Sequence, residues 1–256
     1  MLAVLSPAKS LDFETRVPTP KRSEPRLLDE SEKLIEIMAG KSPEEIKALM
    51  GISDDLAHLN ATRYRRFERE HTRRNARQAV FAFNGDVYQG LDARSLDARD
   101  LTEAGKTVRI LSGLYGLLRP LDLIQPHRLE MGTRLATPRG KNLYEWWGGT
   151  ITDLLREDLE ASPGPKVLIN LASAEYFGSV DTERLGVPVV TPRFEDRGLD
   201  GVPRVVSFHA KRARGTMAAW LVRNRVRSVA KIHSFDGDGY ALDEARSTRW
   251  NPIFVR

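Results

Sequence analysis

The chain has 256 residues and a formal net charge of +5, with 41% hydrophobic and 29% charged residues. These fractions are close to the averages of globular proteins and exclude an intrinsically disordered chain. The sequence contains no cysteine, which excludes disulfides, thiol-based peroxidase chemistry and cysteine-ligated zinc or iron–sulfur sites.

The N-terminal apolar run, Leu2 to Leu5, is followed directly by Ser6 and Pro7. It is too short for a signal peptide, and no window approaches the roughly 20 apolar residues of a membrane helix. We therefore interpret this run as a buried strand and expect a cytoplasmic protein with no membrane partner. Because no linker, repeat or low-complexity segment interrupts the sequence, we expect one domain over residues 1–256.

Helical and strand-like segments alternate along the rest of the chain. A proline-rich loop over residues 17–25 precedes a helix over residues 27–39, which apolar spacing predicts and Gly40 ends. Short apolar runs then predict strands at residues 79–83, 108–111, 167–171, 187–190 and 204–208. This alternation predicts an α/β fold in which helices cover a mixed sheet.

Two further helices joined by a tight turn are predicted between residues 42 and 67. Ser42, followed by proline and then by Glu45, has the pattern of a capping box at a helix start. Gly51 predicts the end of that helix, and Ser53 predicts the cap of the next one. The pair is a candidate helix-hairpin-helix element, a motif whose hairpin amides face a phosphate.

Polar loops leave the predicted strand ends, and strands of similar direction bring such loops to one edge of a sheet. The segment from Leu111 to Gly132 is fixed by two prolines and predicts either a rigid structural loop or one wall of an anion-binding cleft. If the loops converge, carboxylates beside lysines there are suited to acid–base chemistry. The candidate cleft residues are Lys9, Asp86, Arg119, Arg128, Glu130, Glu175 and Lys211.

Positive charge is concentrated in two segments. Residues 63–77 contain seven arginines and two acids, residues 204–231 contain eight basic residues and no acid, and the rest of the chain sums to −8. This is typical of a polyanion-binding surface, although a solvated arginine-rich helix face gives the same pattern. In the second segment, we expect the basic residues around Lys211 to precede a helix N-terminus, whose free amides favour phosphate. The candidate DNA contacts are Gly51, Ser53, Arg63, Arg65, Arg66, Arg69, Arg73, Lys211, Arg212 and Arg214.

Several common site motifs are missing. The sequence contains neither the P-loop pattern nor GxGxxG, and its five histidines lack metal-binding spacing. We therefore predict no cofactor and no histidine metal site. Tyr115, Trp146 and Trp147 are suited to base stacking, but burial in the core is the favoured interpretation.

Five segments of the sequence together resemble the YaaA peroxide-stress family. They are SPAKSLDF near the N-terminus, FNGDVYQGL from Phe83, LSGLYGLLRPLDLIQPHRLEMG from Leu111, INLASAEYF from Ile169 and FHAKRARG from Phe208. The match spans nearly the whole chain in the family's order. It implies a cytosolic protein that limits free intracellular iron under peroxide stress and binds duplex and branched DNA. It also implies a compact fold peculiar to the family, with a helix-hairpin-helix element and a positively charged cleft.

The implied hairpin departs from the general motif. Ser53 replaces its second glycine, and Asp54 and Asp55 open the second helix. Acids at this position favour the helix dipole but repel phosphate. We therefore expect the arginines from Arg63 onward to supply most of the attraction for DNA.

Three functions remain open on these residues. The leading one is non-sequence-specific DNA binding through phosphate contacts. The second is an enzyme that acts on a small phosphorylated or nucleotide-like substrate in the cationic cleft. The third is iron handling by carboxylates, for which the sequence offers acids but no recognisable ligand spacing.

Overall fold

A computed structural model describes residues 1–256 and contains twelve α-helices and eleven short strands. The helices are α1 (Leu28–Ala39), α2 (Pro43–Met50), α3 (Asp54–Arg65), α4 (Ala79–Ala82), α5 (Asp86–Leu91), α6 (Ala98–Thr107), α7 (Leu143–Trp147), α8 (Thr150–Ala161), α9 (Ala174–Phe177), α10 (Thr182–Leu185), α11 (Ser207–Arg223) and α12 (Val229–Ile232). The strands are β1 (Leu2–Leu5), β2 (Arg77–Gln78), β3 (Val108–Ser112), β4 (Gly116–Leu118), β5 (Leu123–Ile124), β6 (Leu168–Leu171), β7 (Val189–Val190), β8 (Arg193–Arg197), β9 (Pro203–Arg204), β10 (Ala241–Leu242) and β11 (Ile253–Val255).

The main sheet has five strands in the order β4-β3-β1-β6-β7. Strands β3, β1, β6 and β7 are parallel to one another, and β4 is antiparallel to β3. All four side chains of β1 are buried because helices cover both faces of this central strand. A second sheet has the order β10-β11-β8-β9, and β2 pairs with β5 alone. The expected α/β fold with a mixed sheet is confirmed, and none of the helices combines the length and apolar composition of a membrane span.

The predicted helix caps between residues 42 and 53 are confirmed. Ser42 and Glu45 form the reciprocal hydrogen bonds of a capping box, and Gly51 ends α2 in the left-handed conformation at φ 60°. The hydroxyl of Ser53 accepts a hydrogen bond from the amide of Leu56 at the start of α3. In the turn, the amides of Gly51 and its successor both donate to the carbonyl of Lys47. The helix pair therefore forms, while its role as a DNA-binding helix-hairpin-helix stays a prediction.

Two predicted strands are wrong. Of residues 79–83, Ala79–Ala82 form the one-turn helix α4 instead, because a short run in which every side chain is buried does not distinguish a strand from a buried helix. Of residues 204–208, only Arg204 pairs with β8, and Ser207 already begins α11. The segment around Lys211 therefore lies inside a helix rather than ahead of one, and the expected free amides near Gly215 are absent.

Helices α5 and α11 cross at two glycines. A Cβ atom on Gly215 would overlap the carbonyl of Val87 in α5, and one on Gly90 would overlap the carbonyl of Arg212 in α11. Glycine inside a helix costs about 0.5–1 kcal/mol of stability relative to alanine. Here the missing side chains let the two backbones touch, so the crossing fixes how the first turns of α5 and α11 face each other.

We expect Gly215→Ala to lower the free energy of unfolding by about 3 kcal/mol, because its methyl group forces α5 and α11 apart. The matched control is Gly105→Ala in α6, where a Cβ atom meets no neighbour. That change should raise stability by about 0.5–1 kcal/mol through helix propensity. Urea unfolding monitored by circular dichroism measures the free energy of unfolding of both variants. If Gly215→Ala and Gly105→Ala change it equally, the close contact between α5 and α11 is wrong.

Candidate functional site

A cleft opens at the carboxyl edge of the main sheet, where parallel strands place their following loops. We call it the strand-end cleft; its volume is about 440 Å³. It is lined by residues 6–10 after β1, residues 84–87 around the start of α5, Glu130, Ser173, Glu175, Tyr176, and Lys211 and Arg214 of α11. The structure thus brings five of the seven candidate cleft residues together: Lys9, Asp86, Glu130, Glu175 and Lys211.

Glu130 is held in the cleft by a close backbone contact and by two cations. A Cβ atom on Gly113 would overlap the carbonyl of Leu129, so only glycine lets the turn after β3 pack against this segment. Arg128 donates two hydrogen bonds to Glu130 Oε1, of 3.1 and 3.0 Å, and Lys9 Nζ lies 3.3 Å from the same oxygen. Arg128 does not line the cleft itself but positions this carboxylate.

Glu175 and Ser173 follow β6 and are fixed by backbone hydrogen bonds. Glu175 Oε1 accepts a hydrogen bond of 2.9 Å from the amide of Gly132. The hydroxyl of Ser6 accepts one of 2.8 Å from the amide of Ser173, which ties the loop after β1 to the loop after β6. The carboxylates are therefore presented by a rigid loop pair rather than by mobile side chains alone.

Two cations of the cleft have no acidic partner. In the first half of α11, Nδ1 of His209 lies 3.2 Å from Asp196 and an ion pair joins Arg212 to Asp238, whereas Lys211 and Arg214 have no acid within reach. Arg214 is half-buried, and burial lowers the pKa of its guanidinium below the ordinary value. A half-buried, uncompensated guanidinium is costly, so an anion in the cleft would stabilise it.

Arg119 lies outside the cleft, which corrects its assignment. It pairs with the buried Asp122 at 3.0 Å and donates to the carbonyl of Glu24. Because β4 runs antiparallel to β3, the residue after β4 lies at the opposite edge of the sheet from the cleft. The sequence did not show this reversal, since the strand β4 was not predicted.

A larger depression lies beside α3, and we call it the α3 groove. It has a volume of about 790 Å³ and is lined by residues 11–15, Leu59, Thr62, Arg63, Arg66, Glu68, Asn75, Asn84, Gln125 and Pro126. Asn84 also lines the strand-end cleft. The two depressions are therefore adjacent, and residues from both basic segments border them.

Some arginines among the predicted DNA contacts are already paired within the protein, whereas others are free to bind an anion. Arg69 pairs with Asp29 at 2.6 Å and with Glu32, and Arg73 donates to the carbonyl of Pro20. Arg63 is half-buried against Asn60 in the groove, while Arg65 and Arg66 are exposed and form no ion pair.

In the second basic segment, acids from elsewhere in the chain neutralise half of the cations. Arg204, Arg212, Arg225 and Arg227 pair with Asp200, Asp238, Asp100 and Glu103 respectively. The charge that remains unpaired near the cleft is that of Lys211 and Arg214.

The aromatic residues considered for base stacking are buried, as the favoured interpretation predicted. Trp147 donates from its indole to the carbonyl of Gly113 at 3.0 Å, and the hydroxyl of Tyr115 accepts a hydrogen bond from the amide of Gln125. Sequence reasoning missed a different aromatic, Phe208, whose side chain is 52% exposed in the first turn of α11. The three-residue spacing between Phe208 and Lys211 could have indicated that both lie on one face of a helix.

No group of three or more histidine, aspartate and glutamate side chains is arranged to hold a metal ion. Among the buried histidines, burial lowers the pKa of His127 to about 4. Its ring packs edge-on against Tyr115 and hydrogen-bonds the carbonyl of Gln125, so it is a neutral core residue.

Comparisons with known proteins give one consistent result. The family model described as peroxide stress protein YaaA matches residues 1–246. The chain is 54% identical over 258 residues to a UPF0246 protein of Burkholderia vietnamiensis, which covers 100% of this chain and 98% of that protein. It is 50% identical over 256 residues to a UPF0246 protein of Idiomarina loihiensis, with the same coverage.

The wall of the α3 groove gives a pH prediction through Asp12, which pairs with Arg77 and Arg94. Burial acts to raise the pKa of Asp12, but hydrogen bonds from Thr15 and Glu14 and the charge of Arg77 outweigh it and lower this pKa to about 2.

We expect Asp12→Asn to lower the free energy of unfolding by about 1 kcal/mol at neutral pH, because the neutral amide loses the ion pairs and the charge-assisted hydrogen bonds but keeps an accepting oxygen. A carboxylate with a lowered pKa stabilises the fold above its ordinary pKa of 3.8 and loses this effect as the pH falls toward 2. The difference from the unmodified protein should therefore shrink below about pH 4. Urea unfolding across this pH range tests it, and a pH-independent difference would assign the loss to packing.

Proposed function

This chain belongs to the YaaA family of peroxide stress proteins, and we propose that it acts in that response by binding duplex or branched DNA without sequence preference. The observation that carries the proposal is the placement of the unpaired cations. Arg63 and Arg66 line the α3 groove, Lys211 and Arg214 line the strand-end cleft, and Asn84 joins the two depressions. Two segments far apart in the sequence thus place unpaired cations beside two adjacent depressions, and we call these four cations the cationic surface.

The chemistry of this surface favours phosphate over base edges. Arginine's planar fork binds phosphate oxygens bidentately, and such contacts position a protein on DNA without reading its sequence. The hairpin at Gly51 and Ser53 adds less than a general helix-hairpin-helix, because its first two amides already bond Lys47 and Asp54 pairs with that lysine. The arginines of α3 therefore supply the main attraction in this proposal.

The proposal extends to the damage that iron causes at DNA, which the family resemblance connects with peroxide stress. Phosphates of DNA hold a layer of cations, and a protein that neutralises phosphates releases them. Binding along the cationic surface would displace ferrous ions from the DNA that it covers. Peroxide would then meet less iron at the DNA itself, which links DNA binding to protection without a metal site in the protein.

The second candidate function is an enzyme acting on a small phosphorylated or nucleotide-like substrate. One observation favours it: Lys9, Glu130 and Glu175 meet in the same cleft as the unpaired Lys211 and Arg214. Carboxylates beside cations in one cavity suit general acid–base chemistry on a bound phosphate ester.

If the cleft is catalytic, incubation with nucleoside monophosphates should give products that chromatography separates from the substrate. We expect Glu175→Gln to slow this turnover about 10²–10⁴-fold, because it removes a group that accepts or donates the proton. Gln89→Glu, an exposed change on α5 outside the strand-end cleft, is the control. Absence of any product from the unmodified protein would remove this candidate.

For DNA binding, we expect log affinity to fall against log salt with a slope of about −4 to −5, as for four to six neutralised phosphates. Arg65→Glu together with Arg66→Glu should weaken all duplexes alike and flatten this slope by about 2. Arg69 is also a predicted DNA contact, but it is left unchanged in this variant because Asp29 and Glu32 already neutralise it. Fluorescence anisotropy over a salt series gives both quantities.

The control for this test reverses Arg99 and Lys106, two exposed cations on α6 outside both depressions. It changes the net charge equally and should leave affinity and slope nearly unchanged. Both variants should keep the circular dichroism spectrum of the unmodified protein, since exposed arginines add little stability. If the two double variants lose affinity to the same extent, the attraction is a property of total charge and the proposed surface is wrong.

A further inference from the structure

The strand-end cleft combines three cations, Lys9, Lys211 and Arg214, with three acids, Asp86, Glu130 and Glu175. We propose that it binds a single nucleotide, with the phosphate on Lys211 and Arg214 and the base against Phe208. The inference rests on the proposed function in one respect, because the nucleotide comes either from a bound DNA strand or from the free nucleotide pool. Both sources share this chemistry, and the experiment below separates them.

The phosphate half of the proposal rests on Arg214. Most half-buried arginines in this structure face carboxylates, as Arg77 does at Asp12 (3.3 Å) and Arg128 at Glu130 (3.0 Å). Besides Arg214, only Arg63 in the α3 groove does not. Arg214 is half-buried yet has no such partner, and it faces the cavity beside Lys211. The glycine crossing with α5 fixes α11 at this point, so the two cations are held in place for an anion that the protein itself does not supply.

The base half rests on Phe208. It is the one phenylalanine among the exposed large hydrophobic side chains. It lies outside the residues that line the cleft, but a spacing of three residues on α11 places it beside Lys211 at the cleft's edge. Exposure of this ring costs free energy unless a partner covers it. An exposed aromatic next to phosphate-binding cations is the arrangement that stacks a base in single-strand binding proteins.

The acids of the cleft favour a nucleotide over a bare phosphate ion. Asp86, Glu130 and Glu175 line the same cavity and would repel a bare phosphate ion. A nucleotide also presents hydrogen-bond donors, on base amino groups and sugar hydroxyls, which carboxylates accept. The volume of about 440 Å³ is within the range of about 300–1,000 Å³ that small-molecule sites occupy.

The test is calorimetric titration of the full-length protein with deoxyadenosine monophosphate, inorganic phosphate and deoxyadenosine. We expect the mononucleotide to bind more tightly than either fragment. Arg214→Gln should weaken it about 10- to 100-fold, the usual effect of losing a charge-assisted hydrogen bond. Phe208→Ala should weaken it about fivefold or more while leaving phosphate binding unchanged.

Two control variants match these changes outside the cleft. Arg212→Gln removes a cation on the same helix that faces Asp238 instead, and Leu199→Ala removes an exposed apolar side chain from the loop after β8. Both should bind the mononucleotide as the unmodified protein does. Thermal unfolding of every variant shows whether it is folded before its affinity is compared.

Anisotropy with a labelled single strand and a labelled duplex identifies the source of the nucleotide. If the mononucleotide displaces the single strand and Arg214→Gln weakens strand binding, the site takes a nucleotide of DNA. If the mononucleotide does not displace the single strand and Arg214→Gln leaves strand affinity unchanged, the site takes a free nucleotide. The proposal is overturned if the mononucleotide does not bind, or if Arg212→Gln affects it as much as Arg214→Gln. Duplex binding through Arg65 and Arg66 would stand in that case, because a separate variant tests it.

Discussion

The architecture of the site depends on the contact between two helix backbones at Gly90 and Gly215. This contact brings the first residue of α5, Asp86, opposite Lys211 and Arg214 of α11. Helix α11 also packs on β1 and β6 of the main sheet and on β8 of the second sheet. One steric constraint therefore sets the distance between acids and cations in the cleft and joins the two sheets.

The charge of this protein is organised by pairs that are distant in sequence. Arg69 is neutralised by two acids of α1, and Arg225 and Arg227 by two acids of α6. Each pair is solvent-exposed in part and adds little stability, but together they reduce the number of arginines in the two basic segments that can still attract an anion. The sequence locates the arginines; only the fold tells which of them still attract an anion.

The sequence interpretation was accurate for features that depend on residues close together in the sequence and less accurate for features that depend on distant ones. The caps at Ser42 and Ser53 involve neighbours within a few residues, and these were predicted correctly. The convergence of Lys9, Glu130 and Glu175 followed from the edge rule for parallel strands. The conformation of residues 79–83 and the position of Arg119 could not be predicted. Both depend on contacts with β4 and β5, and these strands are too short to leave a periodic pattern in the sequence. Phe208 was missed because its helix was taken for a strand.

The central position of β1 bears on how the protein forms during synthesis. Ala3 pairs with Val108 on one side and Ile169 on the other, so β1 is synthesised more than 100 residues before either strand that flanks it. At about 5–20 residues per second, the ribosome needs on the order of 10–30 s to deliver both neighbours. Until then an entirely apolar strand, Leu2–Leu5, lacks its partners. A nascent chain of this kind depends on shielding by a chaperone or by its own early helices, and slow translation would expose it to aggregation before any stress is met.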